Sequence, residues 1–411
     1  MTIVEFYDKT AIENIAGALL RNPERVILIG NNRKQMLRRR DYYQSILKKN
    51  GTQTEVLVES ANNNSIPDIV EVLTKIVEAY DDCVFDLTGG DELYLVAVGV
   101  VMNRYEGKVQ CHRFNFRSNT VNDCDRDGNV CDVDSFNISV EENINIYGGT
   151  IITDPNEVFH TYPWDFNPEF IADVDVMWNI CKSDTRLWNS HVGTLGVICE
   201  KFACEDPLKV FFNKVDAKAV IKQKGEKYAL IAGILRALQN HGIINSLIMQ
   251  DHISFRFKND QKKQCLTIAG QVLELAVACR LKQIKDKNGN DLYHDVRVGV
   301  VMDWDAVPQP NDICKTINEI DIMAMKGAIP IFISCKNGRF DVNELYKLNT
   351  VAERFGGKYA KRVLIATELD KLKDENQIRA RCDDMGIYRI ENIDEMQDPE
   401  LVHELTVICN K

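Results

Sequence analysis

No apolar run in the 411 residues approaches the roughly 18 uninterrupted positions of a membrane-crossing helix. A membrane protein is therefore excluded. Basic residues are in deficit: 50 Lys plus Arg face 61 Asp plus Glu, a formal charge of −11. A protein that coats phosphate backbones is normally basic, so that class is set aside. The opening MTIVEFYDKT is acidic and lacks an apolar core, so no secretory signal is expected. Seven histidines are scattered without metal or triad spacing. GxGxxG, P-loop and GxSxG motifs are absent, which argues against dinucleotide, P-loop nucleotide and serine-hydrolase sites. There is no CxxC pair either; the closest spacings are Cys124/Cys131 and Cys199/Cys204, so a zinc module is not expected.

What is present is an ordinary globular balance, 45% hydrophobic and 27% charged, over a length that suits about two to three domains. The 13 cysteines are odd in number, and Cys83 and Cys279 lie inside apolar runs. They read as small buried hydrophobes of a reducing compartment, and the expected location is cytoplasmic.

From 1 to about 150, apolar strands alternate with helices: TIVEF, RVILIG, TEVLVE, CVFDL and KVQCHRFNF, with helices such as Arg33–Lys49 between them. That order predicts an α/β, mostly parallel, doubly wound Rossmann-like domain. DCDRDGN (Asp123–Asn129) has the spacing of a calcium loop, but without a flanking helix pair it reads as a polar hairpin tip. Residues 151–168 contain proline and aromatics and read as a linker. A mainly helical connector follows over 169–260. It ends in a hairpin turning at Gln250–Asp251, so it is either winged-helix-like or a structural connector. The last domain, 261–411, opens with a long helix (Lys263–Lys285) and continues through strands at His294–Trp304, Thr316–Met325 and Ala328–Lys336. A helix, Asp341–Phe355, a strand, Arg362–Thr367, and a helix from about Glu375 to Met385 complete an αβββαβ order.

Residues two apart on a strand share a face, so Glu319 and Asp321 point together, as do Ser334 and Lys336 on the next strand. The tight Lys326–Gly327 connection makes the two strands neighbours. One reading is a structural ion pair between Asp321 and Lys336. The other adds Glu274, an acid inside the apolar run VLELAV, as a ligand with Asp321 for a divalent metal.

A helix Glu, a strand Asp and a strand x-Lys in this order resemble the PD-(D/E)xK, restriction-endonuclease-like nuclease core over about residues 260–395. The resemblance implies Mg²⁺ or Mn²⁺ held by Glu274, Asp321 and the main-chain carbonyl of Cys335, with Lys336 orienting the attacking water. Ser334 stands where that family has Asp or Glu. Glu319 then takes part of the acidic role, or metal affinity is low and Mn²⁺ is preferred, or the site is impaired.

In the first domain, strand Cys83–Leu87 ends in Thr88-Gly89-Gly90, with Asp91 and Glu92 opening a helix. The other junction carries Asn31, Asn32, Lys34 and Gln35. Both lie at carboxyl ends of strands, where open α/β sheets bind ligands. Asp91 and Glu92 are either first-turn acids or groups aimed at ribose hydroxyls or adenine amino groups. The adjacent basic run RKQMLRRR is a solvated helix face or a lure for a polyanion.

DLTGGDEL and the blocks around it resemble a CARF domain, the sensor of cyclic oligoadenylates in type III CRISPR systems. With the last domain, nearly the whole chain is similar to CARF–PD-(D/E)xK CRISPR ancillary nucleases. That resemblance implies a cytoplasmic homodimer that binds cyclic tetra-adenylate at the two loops and then cuts single-stranded RNA or DNA, or supercoiled DNA. The competing reading is a ligand-sensing transcription regulator with a degenerate last domain. A ring-cleaving enzyme ranks lowest, because no base stands at the Thr88 loop.

Overall fold

A computed structural model describes residues 1–124, 130–223, 228–305 and 316–410. The first unit is a seven-stranded sheet in the order Glu55–Ser60, Arg25–Gly30, Thr2–Phe6, Cys83–Asp86, Val109–Asn115, Thr120–Cys124, Val130–Ser135. Its first five strands are parallel and the last two pairings antiparallel. The expected Rossmann-like order is present. The parallel strands are apolar runs because helices cover both faces. Ile69, Leu73 and Val77 of helix Ile66–Ala79 seal one side, and Met36, Tyr43 and Leu47 of Arg33–Lys49 the other. Strands Thr120–Cys124 and Val130–Ser135 form the expected hairpin, while its tip at 125–129, including most of the calcium-like spacing, lies outside the described residues.

The middle runs helix Thr185–Lys201, strand Lys209–Asn213, helices Lys214–Gln223 and Tyr228–Asn240, then strands Ile244–Met249 and His252–Phe257. The three strands form one antiparallel sheet. This is winged-helix order. Strand Lys209–Asn213 was not legible in the sequence, because its five residues sit in a charged, proline-containing stretch.

The last unit is a six-stranded mixed sheet: Ile387–Ile390, Lys361–Ala366, Ile329–Lys336, Ile317–Lys326, Asp295–Asp303 and Thr150–Ile151. The stretch read as a linker thus begins inside this sheet, with Ile151 paired to Met302. The expected long helix Lys263–Lys285 is two helices, Asp260–Thr267 and Gln271–Gln283, broken at Gly270 with φ +90. Strand Ile387–Ile390 and helix Asp398–Val407 extend the αβββαβ order. The eleven cysteines whose side chains are described are free, and among the described residues no helix is long and apolar enough to cross a membrane.

Candidate functional site

Strands Ile317–Lys326 and Ile329–Lys336 pair antiparallel as far as Ile322↔Ile333, and there the ladder ends. Asp321 is next in line, and its carboxylate takes the vacant rung. Oδ2 accepts from the Cys335 main-chain N–H at 2.7 Å, from Ser334 Oγ at 3.1 Å and from Lys336 Nζ at 3.3 Å. The splay has a cause on the other side. Val298↔Ile322 and Val300↔Ile320 place Gly299 opposite Asp321, and Gly299 has φ +60, which breaks regular strand geometry. Ser334 therefore acts here as a hydrogen-bond donor to Asp321.

Lys336 is held by two carboxylates, since Glu344 Oε2 also lies 3.2 Å from Nζ. Glu344 opens helix Asn343–Gly356, where an acid suits the helix dipole, so nothing in the sequence distinguished it from an ordinary first-turn residue. Burial alone would push the Lys336 ammonium down; Asp321 and Glu344 outweigh it and hold the pKa above its usual value. Glu344 is held low, with Lys347 and Lys336 overcoming its burial.

Glu274 comes from the first turn of Gln271–Gln283, which the break at Gly270 aims at the strands. Its Oε2 accepts from Gln271 Nε2 at 2.8 Å. Burial first, then the charges of Asp321 and Glu319, hold its carboxyl well above the carboxylate range. Glu319 is more exposed, and it too is raised by burial and by Asp321. The Cys335 thiol is buried and pushed well up, by burial and then by Asp321 and Glu274. All five predicted side chains are thus brought to one place. The middle segment docks beside it: Asn189 Nδ2 donates to the Asn337 carbonyl at 2.6 Å, immediately after Lys336.

Among the described residues, no group of three His, Cys, Asp or Glu is placed to hold a metal ion as arranged. The donor chemistry nevertheless suits one. Glu274 and Glu319, both held up by burial and by the neighbouring Asp321 charge, would be relieved by a hard divalent cation, which prefers oxygen ligands.

The two loops of the first unit also meet. Asn31 Nδ2 donates to Asn63 Oδ1 at 3.0 Å, and Asn63 Nδ2 to Asp91 Oδ2 at 2.8 Å. Asn63 lies in a polar loop, ANNNS, that the sequence did not single out. Asn32 caps helix Arg33–Lys49 by accepting from the Gln35 N–H at 3.1 Å, and Lys34, Gln35 and Glu92 are exposed. Thr88 faces inward, its Oγ1 accepting from the Phe114 N–H at 2.7 Å. The glycines also have a packing role: a Cβ on Gly90 (φ +92) would lie 2.5 Å from Phe6 Cβ, and one on Gly89 3.1 Å from Asp8 Cβ. Of the basic run, Arg33 donates to the Val58 carbonyl and Arg40 to Asp41, while Lys34 and Arg38 remain exposed.

Behind Thr88 sits a buried trio across three adjacent strands: Glu5, Asp86 and His112. Asp86 Oδ1 accepts from the Thr88 N–H at 2.7 Å, and Oδ2 lies 3.0 Å from His112 Nε2. Burial and Asp86 hold the Glu5 carboxyl well above its usual range.

No family model matches the chain, and no curated protein sequence does. Solved structures do. The protein VC1899 of Vibrio cholerae superposes with a TM-score of 0.73 at 18% identity, over 98% of this chain and 97% of that one. This chain has the same fold. Can2 of Sulfobacillus thermosulfidooxidans, solved in complex with cyclic tetra-adenylate, superposes with a TM-score of 0.65 at 16% identity, over 100% of this chain and 97% of that one. The two likenesses span the seven-stranded sheet, the middle unit and the mixed sheet together, so the three units occur in the same arrangement in both of those structures.

Proposed function

We propose that this protein is a metal-dependent nuclease switched on by a cyclic oligoadenylate, and that it acts as a type III CRISPR ancillary effector. The observation that carries the reading is the Asp321–Lys336 pair at the splayed strand ends, with Glu274 and Glu319 facing it. Glu274, Asp321 and the Cys335 carbonyl would hold Mg²⁺ or Mn²⁺. Such an ion lowers the pKa of water and offsets negative charge on a phosphodiester.

The remaining roles belong to the chain. Lys336 stays protonated at neutral pH, so it donates hydrogen bonds to water or phosphate oxygens and does not serve as a base. Asp321 and Glu344 fix its direction. Ser334 supports Asp321 in place of an acidic ligand, and Glu319 supplies the additional carboxylate near the strand ends. Cyclic tetra-adenylate would bind where the Asn31–Asn63–Asp91 chain joins the two loops, in a homodimer that presents this edge twice. It activates to the extent that it binds the active arrangement more tightly.

The regulator reading finds less support. Helix Tyr228–Asn240, in the recognition-helix position, carries Arg236 as its one cationic residue, too little for a phosphate-tracking face.

The test incubates the protein with Mn²⁺ or Mg²⁺, with and without cyclic tetra-adenylate, on labelled RNA, single-stranded DNA and supercoiled plasmid. Wild type is expected to cut at least one of these, and Asp321→Ala and Lys336→Ala to lose at least about a hundredfold in rate, the scale of removing a principal electrostatic group. Full activity in Asp321→Ala would remove the site assignment.

A further inference from the structure

A cluster of cations lies at the seam between the first and last units. A cavity of about 440 Å³ is walled by Phe116 and Arg117 from the first unit and by Lys326, Lys358, Tyr359 and Lys361 from the last. Among the described residues no acid lines it, in a protein with a net charge of −11. The cations arrive from separate segments. Arg117 follows strand Val109–Asn115, Lys326 ends strand Ile317–Lys326, and Lys358 and Lys361 flank the start of strand Lys361–Ala366. Lys326, Lys361 and Cys409 all line this one space. Lys358 already pairs with Glu13 and Lys361 is also engaged, so Arg117 and Lys326 are the cations best placed to meet an anion in this space.

One wall is aromatic. The Phe116 and Tyr359 rings stack with centroids 3.9 Å apart, which gives the cavity an apolar side. Glu13 of the first unit reaches the rim, 2.8 Å from Lys358 Nζ, and accepts from Tyr359 Oη. This site is distinct from the Asp321 cluster. Lys326 is five positions from Asp321 along the same strand, about 17 Å at strand spacing.

We propose that the cavity binds a phosphate group, carried free or on a molecule of up to mononucleotide size, with Arg117, Lys326, Lys358 and Lys361 as its cationic walls. A carboxylate needs one such partner; a doubly charged phosphate is matched by several, with Arg offering a two-pronged contact. The volume falls in the range of small-ligand pockets. Because both units supply walls, the occupant ties them together.

Isothermal titration of the full-length, metal-free protein with pyrophosphate, 5′-AMP and adenosine tests this. Pyrophosphate and 5′-AMP are expected to bind and adenosine not. Arg117→Gln and Lys326→Gln should each weaken binding about tenfold, the loss of one charge-assisted contact. Lys326→Arg should retain it, and Lys34→Gln, at the other loop, should leave it unchanged. Tighter binding of 5′-AMP than of pyrophosphate assigns a nucleotide; the reverse assigns inorganic phosphate. The proposal is overturned if neither phosphate compound binds, if adenosine binds equally, or if Lys34→Gln weakens binding while Arg117→Gln does not. Thermal melts of each variant separate lost binding from lost folding: a folded Lys326→Gln with wild-type affinity also overturns it.

Discussion

Glu13 has 1% of its surface exposed and holds the seam between two units, yet its carboxyl is pushed up to about 7. Burial is the largest cause; bonds from Lys358 and Tyr359 oppose it, and Asp8 adds to it. The sign follows from linkage. Between the ordinary value of 4.5 and about 7, the native state binds a proton that the unfolded chain has released, so this group's contribution to stability falls as pH rises through that window. Glu13→Gln removes the titration while keeping an acceptor for Tyr359. Its stability relative to wild type should improve from pH 4 to pH 8 by up to about 3 kcal/mol. Denaturant melts at the two pH values check this; a constant difference would contradict it. At this scale the sequence was informative where spacing alone decides geometry. Glu319, Asp321, Ser334 and Lys336 follow from strand alternation. Glu13, Glu344 and Asn63 were not legible, because each acts through a contact with a segment far away in the chain, and each looks locally like an ordinary helix or loop residue.

Among the elements, the break before helix Gln271–Gln283 is the one that builds the site. A continuous helix from Lys263 would satisfy the local pattern; Gly270 at φ +90 and ψ −28 instead restarts it and places Glu274 in the first turn. The nearest atom to a Cβ there would be Glu274 Oε1 at 3.8 Å, so a substitution meets no clash and its cost is backbone strain alone. Gly270→Ala should therefore lower stability by about 1–2 kcal/mol, read from the shift in unfolding midpoint. An unchanged midpoint would mean that the restart does not depend on glycine. The break was hidden in the sequence because Ile268-Ala269-Gly270 continues an apolar, helix-compatible run. The strands were clearer: Asp295–Asp303, Ile317–Lys326 and Ile329–Lys336 fall within one or two residues of expectation, since long alternating or apolar runs between turns have few alternative structures.

At the scale of the whole molecule, the units are not beads on a linker. One apolar core runs from Ile12, Val26 and Phe114 of the first unit to Phe332, Leu348 and Phe355 of the last. A second joins Trp188 and Phe255 of the middle to Leu273 and Ile333. Sequence reading finds units by their local patterns, and these shared faces carry no local mark. The helix Asn343–Gly356 links the two ends of the account: its first turn holds Glu344 against Lys336, and the Gly357–Tyr359 turn after it docks on Glu13, next to Gly89. The net charge of −11 also takes on a narrower meaning. It opposes general binding to nucleic acid, while acids gathered at Glu274, Glu319 and Asp321 change role beside a divalent cation.

The central claim is that ligand at the first unit controls chemistry at the last. The measurement that tests it is the initial cleavage rate of one substrate with Mn²⁺ present, taken with and without cyclic tetra-adenylate. At least a tenfold rise is predicted, corresponding to about 1.4 kcal/mol of coupling between the sites, and it should be absent in Lys336→Ala. Equal rates with and without the ring, or a rise that survives Lys336→Ala, would contradict the account.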